Sequence, residues 1–262
     1  MINRNSLWGW ALAIAIRLPL ACASPIGERL SVLVVRGGHH YDTPQFEDMC
    51  LGLSNAKVDL VLTSHMEKMA ATEIHDRYGA ILFLNQNKHY PTSAKNRKQY
   101  MDLANLGLGM VFLQFTLSSP PEWDEYHDLV GGKWFLKNYD KDPKKRFTYF
   151  TDLTLDIKVL DTDHPVRKGL SDFTMTDAFY GNIYTDPEVH PLLGADHPDI
   201  ADTIAWTHEY DNSKIVHIMP GFAEGAYENA SYIRLIENSL SYVAECGVCT
   251  RQQSGHVVES HC

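Results

Sequence analysis

Four short apolar runs, Val32–Val35, Val58–Leu62, Ala80–Leu84 and Met110–Phe115, alternate with segments of helical periodicity through the first half of the chain. Runs this short, bounded by turn residues, read as buried strands, and strands separated by helices are joined by right-handed crossovers. The pattern predicts an α/β domain with a mostly parallel sheet covered by helices on both faces. One helix is expected from near Thr92 to Gly107, and another from Pro120-Pro121, through Trp123, Tyr126, Leu129 and Val130, to Gly131-Gly132. Between Phe135 and Leu160 the pattern changes to alternating Thr, Tyr, Phe and Asp, an inserted loop and β-rich segment. Further strands are expected near Asp202–Trp206 and Lys214–Met219. A closing helix spans Asn229 to Ala244, with Tyr232, Leu235, Ile236, Leu240 and Val243 at helical spacing. Asn229 reads as its N-cap, although Asn229-Ala230-Ser231 also fits the glycan-acceptor pattern.

The first strand ends in Gly37-Gly38-His39-His40-Tyr41-Asp42 and runs into a helix with Thr43 as a candidate N-cap and Pro44 at its first position. In an open α/β sheet this junction lies at the carboxyl edge, where ligands bind. The two glycines permit a close backbone approach but do not form a dinucleotide fingerprint. A tight turn carrying surface histidines is the competing reading.

A chain of 262 residues can bury one substantial core. Residues 1–23 read as an export signal: Arg4, an apolar run from Leu7 to Ile16, and a small-x-small pattern at Ala21 and Ala23. The run is too short to span a bilayer. The expected destination is periplasmic or extracellular, with lipidation at Cys22 as a lesser alternative. Cleavage would remove Arg4 and Arg17 and take the formal charge from −10 to −12. So acidic a chain is a poor partner for nucleic acid, and Lys141 to Arg146 reads as a solvated loop. Cys50 falls on an apolar helix face. After Ala244, residues 245–262 read as a flexible tail. Its Cys246, Cys249, His256, His261 and Cys262 have metal-ligand chemistry without a standard zinc spacing, so a disulfide is the simpler expectation.

Several strings between Val32 and Ala244 together resemble the trehalose-utilisation, or ThuA-like, family: Gly37-Gly38-His39, Pro121-Glu122-Trp123-Asp124-Glu125-Tyr126 with Gly131-Gly132, Asp163-His164-Pro165-Val166 with Gly169-Leu170, Asp177 with Tyr180, and Ala205-Trp206-Thr207. The resemblance implies a flavodoxin-like fold of the class I glutamine amidotransferase-like type over residues 30–244, and a role in using trehalose, keto-sugars or glycosides. It also exposes departures. Where the fourth strand leads to an elbow holding cysteine, or histidine in ThuA-like relatives, this chain has Gln114; an acid and a histidine of the family pattern are Ala178 and Phe222 here. The family cluster is of the kind that holds a divalent metal or performs acid–base chemistry. Its loss leaves no cofactor assigned, a divalent metal open, and whether the chain is an enzyme undecided. His39 and Asp177 are the candidate catalytic residues. His40, Tyr41, Gln114, Trp123, Tyr126, Tyr180 and Glu224 are the candidate sugar-binding residues, with Trp206 as a further aromatic. Each aromatic has packing as its alternative role. The rival reading is a binding or interaction protein that keeps the fold without the cluster.

Overall fold

The computed structural model describes residues 29–41, 43–86, 92–118, 122–134 and 148–254, with 246–254 by backbone alone. The signal segment with Cys22, Asp42, Pro120-Pro121, the basic loop at 141–146 and residues 255–262 lie outside the described residues. In order, the elements are β1 (Leu30–Gly37), α1 (Thr43–Leu51), β2 (Ala56–Leu62), α2 (Thr63–Met66), α3 (Ala71–Arg77), β3 (Ala80–Asn85), α4 (Ala94–Asn105), β4 (Gly109–Leu113), α5 (Asp124–Val130), β5 (Gly132–Lys133), β6 (Thr148–Val159), β7 (Phe173–Gly181), β8 (Tyr184–Thr185), β9 (His190–Ala195), β10 (Thr203–Tyr210), β11 (Ser213–Ile218), α6 (Glu224–Glu228) and α7 (Ala230–Ser254).

Among the described residues nine strands form one sheet in the order β2-β1-β3-β4-β11-β10-β9-β6-β7. The four strands expected from the apolar runs are neighbours and parallel, and β11 continues parallel beside β4. Strands β3 and β4 are buried along their whole length, which is why their sequences are continuous rather than alternating. Beyond β11 the pairings turn antiparallel through β10, β9, β6 and β7. Two reversals bring β9 and β7 back to the direction of β1, so seven of the nine strands end at one edge.

The β-rich segment therefore does not stand apart from the sheet; β6 is one of its strands. Strands β7 and β9 carry no continuous apolar run, because Thr, Asp, His and Pro interrupt their apolar residues. Thr43 is the first residue of α1, and its hydroxyl donates to the Tyr41 carbonyl at 3.2 Å, so the expected cap lies one residue late. Helix α5 begins at Asp124, after Trp123. Asn229 does cap α7: its Oδ1 accepts from the N–H groups of Ser231 and Tyr232 at 3.0 and 3.2 Å. That helix continues past Ala244 to Ser254, so the tail is not irregular from residue 245. It meets no proline there, and a single glycine costs a helix only about 1 kcal/mol. Among the described residues no helix is long and apolar enough to cross a membrane.

Candidate functional site

Strands β1, β3, β4 and β11 end at the same edge, and the turns that follow them meet there. Gly38, at φ +82°, folds over Gln86, whose N–H donates to the Gly37 carbonyl at 2.9 Å. A Cβ on Gly38 would lie 1.7 Å from the Gln86 carbonyl oxygen, so only glycine fits. The turn delivers His39, whose ring lies 4.6 Å from that of Phe115 and 5.9 Å, edge-on, from that of Phe222. His39 Nδ1 is 2.6 Å from the His40 carbonyl, which can only accept, so Nδ1 carries the proton. His40 itself is exposed. Tyr41 is half-buried, edge-on to Phe46 at 5.6 Å and 6.0 Å from Phe115.

Beyond β4 the chain turns sharply into a 3-10 helix, Gln114–Ser118. Gln114 adopts φ +51°, a left-handed conformation that costs an L-residue about 1–2 kcal/mol. The elbow is thus present although its side chain is not a nucleophile. Gln114 is fully buried, and neither its Oε1 nor its Nε2 makes a hydrogen bond of standard geometry. The Tyr180 hydroxyl lies close enough to the Gln114 side chain to interact with it. Tyr180, Trp134 and Tyr149 form a triangle of rings, with Trp134–Tyr180 at 4.3 Å and Tyr149–Tyr180 at 5.4 Å, both stacked. Burial, then the neighbouring Tyr149 and Asp177, hold the Tyr180 phenol well above its ordinary pKa, so it remains a neutral donor. Tyr149 keeps 40% of its surface exposed. Beneath the elbow, His217 on β11 is fully buried and stacked on Trp206 at 4.3 Å.

Asp177, on β7, accepts from the backbone N–H groups of Gly221, Phe222 and Ala223 and from its neighbour Ala178. Tyr227 and Tyr232 donate to the Gly221 and Pro220 carbonyls of the same loop at 2.8 and 3.1 Å. Burial raises the Asp177 carboxyl to about 6, and the four backbone donors work against that rise. The carboxylate is therefore engaged in fixing the loop that presents Phe222 to His39, and its oxygens are not open for acid–base work. Glu224 begins α6 just past this loop and is exposed.

His39, Gln114, Asp177 and Tyr180 are linked through intermediate residues: His39 through the Phe115 and Phe222 rings, Asp177 through the Phe222 backbone, and Tyr180 through its approach to Gln114. Trp123 and Tyr126 do not join them: at 4% and 3% exposure they pack against each other and Tyr100 in the core, because helix α5 turns that face inward. Trp206 is core as well, its Nε1 donating to the Val130 carbonyl at 2.9 Å. The aromatic residues nearer the elbow are Trp134, whose backbone N–H donates to the Leu117 carbonyl at 3.1 Å, and Tyr149, stacked on Tyr180; neither belongs to the strings that resemble the family. The only signals were the period-two pattern at 148–150 and the position of Trp134 just past Gly131-Gly132. Among the described residues no three His, Cys, Asp or Glu side chains come together to hold a cation. With Asp177 engaged and apolar groups at Ala178 and Phe222, the donors present do not fit a divalent metal.

A family model described as ThuA, trehalose utilisation, matches residues 31–243. No curated protein matches the sequence. Among solved structures, a ThuA-like protein from Parabacteroides merdae superposes with a TM-score of 0.67 at 15% identity, covering 89% of this chain and 93% of that one. A ThuA-like protein from Bacteroides uniformis gives 0.62 at 15% identity, covering 86% and 95%. PurLQS from Thermotoga maritima gives 0.53 at 12% identity, covering 81% and 99%. The fold is accordingly of the class I glutamine amidotransferase-like type.

Proposed function

The chain belongs to the ThuA, trehalose-utilisation, family, and from that premise we propose that it serves carbohydrate utilisation by binding a sugar over the Gln114 elbow. The observation that carries this reading is the Gln114 amide: buried, without a hydrogen bond of standard geometry at either polar atom, and held in a strained backbone conformation. Unsatisfied buried polar atoms call for an occupant, and a primary amide offers one donating and one accepting group to a pair of hydroxyls. The exposed face of Tyr149, backed by Tyr180 and Trp134, supplies the apolar surface against which a pyranose ring packs. Glutamine is no nucleophile, so binding without covalent chemistry at the elbow is the form of function proposed. Export is part of the proposal and rests on the apolar run and cleavage pattern of residues 1–23.

Titration of the mature protein with glucose, galactose, trehalose, maltose and lactose, read by calorimetry and tryptophan fluorescence, tests the reading. Gln114→Leu and Tyr149→Ala should each weaken the best ligand at least about tenfold, the equivalent of 1.4 kcal/mol. Trp123→Phe, in the core, should leave binding unchanged. A wild-type protein that binds none of these sugars refutes the proposal. Binding indifferent to both elbow substitutions would put the sugar elsewhere.

A further inference from the structure

The Asp163-His164-Pro165-Val166 string takes no part in the elbow. It lies at the opposite edge of the sheet, where β6 ends and β9 begins. Residues Pro165–Arg167 form one turn of 3-10 helix, and His164 is its N-cap: the Val166 N–H donates to His164 Nδ1 at 3.2 Å. An imidazole nitrogen accepts only while it carries no proton, so this cap requires a neutral His164 with its proton on Nε2. The turn is fastened to the fold in two further ways. Val166 is fully buried, and Asn238 on α7 donates through Nδ2 to the Val166 and Lys168 carbonyls, both at 2.8 Å.

A second histidine lies against the first. The ring of His190, the first residue of β9, stacks on that of His164 with centroids 5.4 Å apart and planes 25° from parallel. His190 Nε2 is 2.7 Å from Asp161 Oδ2, which only accepts, so Nε2 holds a proton; a second proton, on Nδ1, turns the contact into an ion pair. Tyr242, on α7, meets His164 edge-on at 4.7 Å and carries the Lys214 ammonium of β11 4.5 Å over its own ring. Burial, then His190, hold the His164 imidazole below its ordinary pKa of 6.5, with Asp161 opposing and Lys214 adding to the fall. A further proton on His164 therefore sets a cation against His190 and Lys214, and at Nδ1 it sets one N–H against another. The cleft of 420 Å³ that both imidazoles line also carries Asp128, Asp186, Glu188 and Glu209, with His208 and Tyr210.

We propose that His164 is a proton-operated latch: neutral, it caps the 3-10 turn and holds residues 165–168 on α7; protonated, it gives up the Val166 N–H, is repelled by His190 and lets the turn open toward the carboxylates of the cleft. The open turn takes the proton more readily than the closed one, so opening is favoured as the pH falls below 6.5 and suppressed above it. The latch is independent of the sugar reading. Hydrogen exchange of the Val166 amide in the mature protein tests it, expressed as protection relative to an unfolded chain at the same pH. In the wild type that protection should fall about tenfold more between pH 7.5 and pH 4.5 than in His164→Asn, the scale of one lost N-cap. Asparagine offers an oxygen to the same N–H at every pH, and the variant keeps every other titrating group. His190→Asn removes the opposing charge while its amide can still donate to Asp161, so the His164 ring signals in a magnetic-resonance titration should move to a higher midpoint. Equal pH dependence of Val166 protection in the wild type and His164→Asn overturns the latch, as does a His164 midpoint that stays in place or falls in His190→Asn. If His164→Asn does not fold, the His190→Asn titration decides alone.

Discussion

Replacing His217 with phenylalanine should remove a specific part of the acid sensitivity of this protein. The imidazole is fully buried between β4 and β10 and stacked on Trp206. Burial lowers its pKa from 6.5 to about 3, against the opposing effect of the Gln114 backbone beside the ring. A histidine whose folded pKa lies below its unfolded one leaves stability untouched above pH 6.5. Below that, the unfolded chain takes up a proton that the folded chain refuses, and stability falls until the pH reaches about 3. The slope is about 1.36 kcal/mol per pH unit, so at pH 4.5, two units below the unfolded value, the loss is about 2.7 kcal/mol. Phenylalanine keeps the stack on Trp206 and cannot titrate. Urea unfolding of both proteins at pH 7.5 and pH 4.5 gives the double difference, in which other titrating groups, Asp177 included, cancel. The wild type should lose about 2.7 kcal/mol more than the variant, or about 5–11 °C in Tm at the usual sensitivity of a domain this size. Identical pH dependence would show that His217 is hydrated or protonated in the folded state and would refute the argument.

Asp177→Ala should leave three loop N–H groups without their acceptor and cost about 3 kcal/mol or more in urea unfolding, at about 1–3 kcal/mol per buried orphan; a loss under 1 kcal/mol would mean the loop is fixed by its two tyrosines alone. Gly38→Ala forces a Cβ into the Gln86 carbonyl at a positive φ, and should lower Tm by several degrees while also weakening sugar binding; an unchanged Tm would contradict the close approach. Gln114→His together with Phe222→His would set two imidazoles beside His39, and should bind zinc at least tenfold more tightly than the wild type in calorimetry on protein truncated before Cys246. Equal binding by the two proteins would mean that these positions do not face a common point.

The parallel half of the sheet was legible because its signals are local. A strand buried on both faces must be apolar throughout, as at Ala80–Leu84, and a helix start shows itself in one polar side chain, as at Asn229. The antiparallel half was harder to read: in β7 and β9 polar residues interrupt the apolar ones, and what makes each a strand is its neighbour in the sheet. The shift of α5 from the proline pair to Asp124 is of the same kind, since Trp123 is set by its packing on Tyr100 and Tyr126.

For the site, the sequence by itself determined which side chains stand at the ends of β1 and β4, and that neither thiol nor imidazole occupies the elbow. Tertiary structure decided their roles. Asp177 looks like a catalytic acid until the loop 44 residues further on brings three backbone N–H groups to its oxygens. Trp123 and Tyr126 have the chemistry of a sugar platform, yet the turn of α5 buries them, while Tyr149 retains an exposed face. The elbow strain at Gln114 likewise depends on where distant backbone passes. Hydrophobic periodicity acts over a few residues and can be read along a chain. The desolvation of one particular carboxylate or amide depends on atoms brought near it from far along the sequence, and only the folded arrangement fixes those.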